Sequence, residues 1–280
     1  MTGPDQDAER ATVTVVVPTR NNIRTIEACL RSVVEQTHRG VELVVVDNHS
    51  TDGTPQVAER FADRVITAGP ERSVQRNTGI EAAGSEWVLW LDSDMILPPR
   101  TIALALDTAR ATGATGIALP ERTIGDGFWT ACRALERECY LDDPWLHNPR
   151  LVRRDYLLGD GAFHPDMSGP EDADLRMKMR SSGAGIELAP IIIDHDEGRL
   201  TVRDVMSKRY YYGRSIPAFA EQHEGAVGAQ GKAVLRSYLR NHRRLLGDPA
   251  HAIGMVALRA MEAGGYAMGA RRGRKDRTTP

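Results

Sequence analysis

Trp87-Val88-Leu89-Trp90-Leu91-Asp92-Ser93-Asp94 sets five apolar residues directly ahead of an acidic pair. An unbroken apolar run bounded by polar residues reads as a strand buried on both faces, the kind found in largely parallel sheets. In open α/β sheets the carboxyl ends of the strands form the ligand crevice, and the two carboxylates lie at such an end. Residues two apart on an extended segment point the same way, so Asp92 and Asp94 are expected to converge on one object. Converging carboxylates repel unless a cation joins them, and hard divalent ions prefer oxygen ligands. Taken alone, the tripeptide is better read as a solvated loop carrying two acids. The surrounding sequence decides.

Outward from this stretch, residues 12–120 alternate short apolar runs with helical patterns. Strands are expected at Val13–Val17, Glu42–Val46, Arg64–Thr67, Glu86–Leu91 and Thr115–Leu119. In Ile23–Glu35, Ile26, Leu30, Val33 and Val34 share one helical face. Thr54-Pro55 reads as an N-cap followed by proline at the first helical position, and Ser73–Ala83 and Pro99–Ala111 complete the series. Such alternation implies βαβ units, so the expected fold class is α/β: a Rossmann-like, mainly parallel sheet flanked by helices. After Pro120 the rhythm breaks. Helices are expected over Phe128–Tyr140, Glu171–Ser181, 201–222, 231–246 and 249–269, with one strand at Gly185–Ile193 and a turn-rich passage at 159–163.

Length and composition narrow the function classes. The chain has 280 residues, 41% of them hydrophobic and 26% charged, values of an ordinary water-exposed globular protein. Its net charge of −2 hides an asymmetry: residues 233–280 hold ten Lys or Arg against three Asp or Glu. A basic end on an acidic body points to an anionic partner, a membrane surface among the candidates, and argues against nucleic acid as the main one. Cys29, Cys132 and Cys139 are odd in number and lack metal-ligand spacing, so buried free thiols in a reducing compartment are expected. No leader of signal-peptide type and no spanning run is visible, which makes a cytoplasmic protein the expectation.

Polar groups gather at the same sheet edge as the acidic pair. The first strand ends in Pro18-Thr19-Arg20-Asn21-Asn22 and the second in Asp47-Asn48-His49-Ser50-Thr51-Asp52-Gly53. A Gly-rich phosphate loop is missing, so a nucleotide held here would be gripped by side chains and a metal. Asp47 and Asp52 are equally suited to forming turns. Arg72, Arg76 and Asn77 open a helix, where basic groups and amide dipoles suit an anion. Glu171-Asp172-Ala173-Asp174 places three acids in a first helical turn; they complement the dipole, and one of them could serve as a general base. His195 follows the apolar run 191–193 and is positioned to be a further ligand for the same ion.

Pro18–Asn22, Val46–Thr54, Arg76–Gly79, Leu91–Asp94, Glu171–Leu175 and His195, in this order and spacing, resemble the family 2 glycosyltransferases over roughly residues 12–220. The resemblance implies a GT-A fold, inversion at the transferred sugar, a nucleotide-sugar donor (most often a uridine diphosphate sugar) and a divalent metal, Mn²⁺ or Mg²⁺. It implies donor contacts from Pro18, Thr19, Asn21, Asp47, Ser50, Arg72, Arg76, Asn77, Asp92 and Ser93. It further implies metal ligation by Asp94 and His195, with Asp92 beside the ribose or metal. Asp172 would be the catalytic base, with Glu171 orienting the acceptor or its loop. The Q-x-x-R-W segment and spanning helices of the processive synthases are absent, which favours one addition per acceptor. Aromatic faces stack on sugar rings, so acceptor contacts are assigned to Trp145, His147 and Phe163, residues that core packing would explain as well.

The expected organisation is a flexible leader (1–11), a catalytic domain (12–222, its donor half 12–120 and acceptor half 121–222), a helical extension (223–270) and a basic tail (271–280). In the extension, Val234, Leu235, Tyr238, Leu239, Leu245 and Leu246 form an apolar stripe flanked by Arg236, Arg240, Arg243 and Arg244. Such a helix suits peripheral contact with the inner face of a membrane through 233–277; packing on the body or on a second subunit, as in a homodimer, is favoured over it. Gly264, Gly265 and Gly269 are expected to interrupt the last helix. The acceptor is read as a small molecule, glycan precursor or lipid-linked species. A nucleotidyltransferase on a related sheet and a non-catalytic sugar-nucleotide-binding protein stay open as alternatives.

Overall fold

Alternation along the strands builds two cores, one on each face of a central sheet. In the computed structural model, which describes residues 12–159, 162–165, 167–223 and 225–278, β1 (Val13–Thr19) turns Val13, Val15 and Val17 to one side and Val16 to the other, all buried. The expected leader 1–11 lies outside the described residues. Helices α1 (Ile26–Val34) and α4 (Thr101–Thr112) cover the first face; α3 (Arg72–Ala82) and α7 (Glu171–Ser181) cover the second. Gly79 lets α3 approach β1 closely, since a Cβ there would lie 2.2 Å from Val16.

The remaining strands are β2 (Val41–Asp47), β3 (Arg64–Thr67), β4 (Trp87–Trp90), β5 (Met95–Ile96), β6 (Gly116–Ala118), β7 (Glu121–Ile124), β8 (Pro149–Arg153), β9 (Ile186–Leu188) and β10 (Ile193–Asp196). Seven form one sheet in the order β3-β2-β1-β4-β8-β6-β9, in which β8 runs antiparallel to both neighbours and the other pairings are parallel. Strands β5, β10 and β7 form a small second sheet. The mainly parallel α/β architecture is therefore as expected. Because β8 and β9 complete the same sheet, the two halves divided at residue 120 share its cores, with Leu151, Ala189 and Ile193 packed among first-half residues.

Short helices α2 (Thr54–Ala58) and α6 (Arg154–Leu158) fill connections, and α5 (Phe128–Glu138) packs beside β7. The C-terminal layer comprises α8 (Val202–Gly213), α9 (Ile216–Gln222), α10 (Ala226–Arg240), α11 (His242–Gly247) and α12 (Pro249–Thr278). Cys29, Cys132 and Cys139 are buried free thiols.

Several expectations are corrected. The single strand at Gly185–Ile193 is two strands in different sheets, because Pro190 lacks the N–H a ladder needs. Thr54 is the first helical residue rather than the N-cap; Gly53, at φ 89°, takes the cap position. The helix expected over 201–222 breaks at Arg214-Ser215 ahead of Pro217, and 231–246 is two helices parted at Asn241. Glycines do not interrupt the last helix, which runs unbroken for 30 residues. Gly265, Gly269 and Gly273 instead face α8 and the residue after it, and a Cβ on Gly269 would meet Tyr210 O at 2.1 Å. Those glycines set the distance between α8 and α12.

Candidate active site

The small sheet brings the far end of the chain to the acidic pair. His195 on β10 is in register with Met95 on β5, the residue after Asp94, and Asp196 N donates to Asp94 O at 2.7 Å. His195 Nε2 consequently sits 3.4 Å from Asp94 Oδ2. On its other side, His195 Nδ1 lies 3.3 Å from Glu121 Oε2. Burial and Arg137 oppose charge on this imidazole, but Asp94 and Glu121 outweigh them and push its pKa up to about 9. Burial works against ionisation of Asp94 too, and His195 reverses the balance, holding it below the ordinary range. Asp94 Oδ1 is buried with no hydrogen-bond partner.

Asp92 lines the same cleft as Asp94 but takes other partners. β4 ends at Trp90, and a turn closed by Met95 N donating to Asp92 O at 2.9 Å replaces the extended backbone on which the two-residue rule depends. Asp92 Oδ1 accepts from Arg76 Nη2 at 3.0 Å, and Oδ2 lies 3.6 Å from Arg150 Nη2. Burial opposes its charge, but Arg72, Arg76 and Arg150 hold the carboxyl well below the usual range. Among the described residues no three His, Cys, Asp or Glu side chains converge as a ligand set.

Arg76 is the hub of the second charge group. Its side chain is 0% exposed, lies above the Phe163 ring at 5.0 Å, and donates to Asp172 Oδ1 at 2.7 Å as well as to Asp92. Glu171 Oε1 is 3.6 Å from both Arg72 and Arg76, while Glu171 Oε2 is buried and unpartnered. Burial, and next the charge of Asp172, push the Glu171 carboxyl above its ordinary range.

A cleft of about 510 Å³ opens over these groups. Of the expected donor residues, Pro18, Thr19, Asn21, Arg72, Asp92 and Ser93 line it, together with Asp94 and Glu171. Asn21, in the left-handed region at φ 46°, accepts from Thr51 N and donates its own N–H to Ser50 Oγ, so Asn21 and Ser50 knit the ends of β1 and β2. Asp47 Oδ2 accepts from Ser50 N at 2.9 Å, and its Oδ1 is a third buried, unpartnered acceptor. Ser93 Oγ accepts from Asn22 Nδ2 and Thr19 Oγ1, tying the acidic turn to β1.

Asp47, Ser50, Arg76, Asp172 and His195 are not among the cleft's lining residues, and four further expected contacts serve elsewhere. Asn77 pairs with the Phe163 backbone in both directions, donating to its O and accepting from its N. Phe163 is 1% exposed and packs edge-on against Trp90, so it belongs to the core. His147 is buried and donates from Nε2 to Tyr140 O at 2.9 Å; burial lowers its pKa. Trp145 lies beneath Arg180, whose guanidinium is 3.7 Å from the ring centroid. The aromatic faces read as stacking platforms are thus taken up within the protein, by packing at Phe163 and by Arg176 and Arg180 at Trp145.

Sequence reasoning passed over Glu121, Arg150, Gln75 and Lys208. Gln75 Nε2 donates to Thr19 O and Val46 O, clamping the ends of β1 and β2. Lys208 on α8 lines both the cleft and a smaller cavity of about 220 Å³ that contains Asp94 and His195. As one of four lysines in an arginine-rich chain, two residues before the run Tyr210-Tyr211-Tyr212, it offered a faint signal. Helix α8 walls the cleft: Tyr211 donates to Glu71 Oε1 at 2.6 Å, and Tyr212 accepts from Arg72 at 3.1 Å.

Comparison with known proteins gives this geometry a lineage. Over 243 residues the chain is 25% identical to the pre-mycofactocin glycosyltransferase of Mycobacterium tuberculosis, covering 79% of this chain and 50% of that one. It is 33% identical over 88 residues to the glycosyltransferase GlyA of Streptococcus pneumoniae, covering 29% of this chain and 13% of that one. The chain thus spans half or less of the length of these relatives. Among solved structures, the mannosyltransferase PcManGT of Pyrobaculum calidifontis, in complex with GDP-Man and Mn²⁺, superposes with a TM-score of 0.60 at 23% identity, covering 94% of this chain and 81% of that one. Glucosyl-3-phosphoglycerate synthase of M. tuberculosis, with Mn²⁺, UDP and its product, gives 0.53 at 22% identity over 74% of this chain and 79% of that one. Both share the fold. The family model described as glycosyl transferase family 2 matches residues 14–164, more than half of the chain, and this protein belongs to that family.

Proposed function

We propose that the protein is a metal-dependent, inverting transferase that moves a hexosyl group from a nucleoside diphosphate donor, uridine diphosphate first among the candidates, to an acceptor hydroxyl, one addition per acceptor. The observation that carries this reading is Asp94, which keeps one buried carboxylate oxygen unpartnered beside His195 at the edge of a cleft lined by strand ends. An oxygen donor and an imidazole backed by the Glu121 carboxylate fit Mn²⁺ or Mg²⁺, which Asp94 and His195 would hold. Solved relatives of this fold carry Mn²⁺ with GDP-Man or UDP, which supports the same pairing.

When bound, the cation neutralises the charge that builds on the departing diphosphate. Asp94 and His195 would hold it, and Glu121 would fix the imidazole through Nδ1 so that Nε2 stays turned toward Asp94. Thr19, Asn21 and Asp47 would receive the base and ribose, the free Asp47 oxygen accepting a donor hydroxyl or N–H. Arg72 and Lys208, both lining the cleft beside Tyr212, would face the diphosphate. Arg76 holds one oxygen of Asp172, leaving the other to take the proton from the acceptor hydroxyl as its oxygen attacks the anomeric carbon. Attack opposite the diphosphate inverts that carbon in one displacement.

The test is release of nucleoside diphosphate from a panel of sugar nucleotides with Mn²⁺, followed by NMR of the product's anomeric coupling. Inversion is expected. Retention would overturn the single displacement, and a panel that neither turns over nor shifts the melting temperature would overturn donor binding.

A further inference from the structure

Helix α10 presents two faces of opposite character. Ala226, Ala233 and Ser237 are buried, and Ser237 Oγ donates to Cys139 O at 2.6 Å, docking the helix behind α5. Tyr238 also turns inward, to Glu136 and Tyr140, so the apolar stripe read from sequence is divided. Leu235 and Leu239 follow Ala233 and Ser237 by two positions, about 200° round the helix, and they are 59% and 67% exposed.

The same exposed apolar character continues along the chain, with Leu246 on α11 75% exposed and Ile253 and Val256 on α12 72% and 61% exposed. Seven large hydrophobic side chains among the described residues are more than half exposed; Val34 is one, and the other six fall between Val227 and Val256. Scattered singly such residues mean little, but confined to one stretch they mark a surface that something covers.

Charge identifies the cover. From 225 to 247 the chain carries five Lys or Arg and no Asp or Glu. Arg240 and Arg244 reach back to Asp143 and Glu138 on the body side. Lys232, Arg236 and Arg243 are exposed, and no ion pair joins them to an acid among the described residues. On α10 the Lys232 and Arg236 positions lie on one side of the leucine stripe, roughly 40° and 80° round the helix from it. An exposed apolar stripe bordered by cations is the pattern of a helix lying in a lipid headgroup layer. A two-fold contact through this face would set these cations against their own copies, which disfavours a second chain as the occupant. No described helix is long and apolar enough to cross a membrane, so the contact is peripheral.

We propose that the outer face of α10, α11 and the start of α12 is a docking surface for an anionic lipid bilayer. It stands independently of the transfer chemistry. The test is flotation of the full chain with vesicles of phosphatidylcholine alone or mixed with phosphatidylglycerol. Two triple variants accompany it: Leu235→Gln with Leu239→Gln and Leu246→Gln, and Lys232→Glu with Arg236→Glu and Arg243→Glu.

Wild type is expected to float with the mixed vesicles far more than with the neutral ones, and each triple to lower that partition by roughly tenfold or more. Both variants should keep the wild-type thermal melt, because the altered side chains project from the body. Absence of flotation overturns the proposal, as does equal binding to both vesicle types or binding indifferent to both triples. A concentration-dependent dimer dissociated by the leucine triple would show that a second copy covers the face, and would overturn it equally.

Discussion

Two buried charge clusters in this protein obey opposite rules. Behind the site, Arg133, Arg209 and Arg259 meet Glu136 and Glu262, with Tyr140 and Tyr238 filling the remaining positions. Every carboxylate oxygen there has a partner. Glu262 accepts from Arg133 and Arg209 on one oxygen and from Arg259 on the other; Glu136 accepts from Arg133 on one, and from Arg259 and both tyrosines on the other. In the site, Asp47, Asp94 and Glu171 each keep a buried oxygen with none. Buried polar atoms are nearly always paired in proteins, so a cluster that closes on itself is scaffold, and one left open expects a ligand.

The contrast can be broken by experiment, most severely at the open cluster. Asp172→Asn is expected to lower turnover by roughly 10³-fold while donor-induced thermal shifts persist. A variant with more than a tenth of wild-type turnover would remove Asp172 from the proton-transfer step. At the closed cluster the effect should fall on stability instead: Glu262→Gln is expected to cost about 3 kcal/mol in urea unfolding, because it takes the counter-charge away from three arginines.

The pH dependence of that cluster has a definite sign. Burial alone would raise the Glu262 pKa, but Arg133, Arg209 and Arg259 bring it down to about 2 from an ordinary 4.5. The stabilisation is therefore present above the ordinary value and is lost as pH falls from 4.5 toward 2. Wild type should lose stability steeply across that window, and Glu262→Gln much less. Parallel acid limbs would refute the assignment.

Smaller effects sharpen the boundary between the two clusters. Glu121→Gln, at the back of His195, is expected to weaken Mn²⁺ binding by roughly 10- to 100-fold in a direct titration. Unchanged affinity would make Glu121 part of the scaffold alone. Asn77→Ala should behave as a scaffold lesion of about 1 kcal/mol, through its bonds to the Phe163 backbone. A rise in donor KM with no loss of stability would return Asn77 to the donor site.

Much of the sheet was legible because strands buried on both faces must be written as apolar runs, as in Val13–Val17 and Trp87–Leu91. Strand β8 escaped because Pro149-Arg150-Leu151-Val152-Arg153 is half polar, its Arg150 drawn inward by Glu121 and Asp92. Strands β5 and β7, of two and four residues, are too short for periodicity to register. Along the cleft, Thr19, Asn21, Arg72, Ser93, Asp94 and Glu171 were legible as polar groups at strand ends and helix starts. Glu121, Gln75 and Lys208 were not, since their meaning rests on partners far away in the chain.

Sequence alone determined that Asp92 and Asp94 end a buried strand, because five apolar residues followed by polar ones admit little else. Only the tertiary structure decided that the pair divides, Asp92 going to Arg76 and Arg150 and Asp94 to His195. Side-chain direction follows a period of two only while the backbone stays extended, and here it turns at once. In the same way the apolar stripe flanked by arginines determined that α10 is amphipathic, but packing on α5 decided which apolar residues, Leu235 and Leu239, stayed outside. Spacing encodes faces; which partner a face meets depends on residues a hundred positions away.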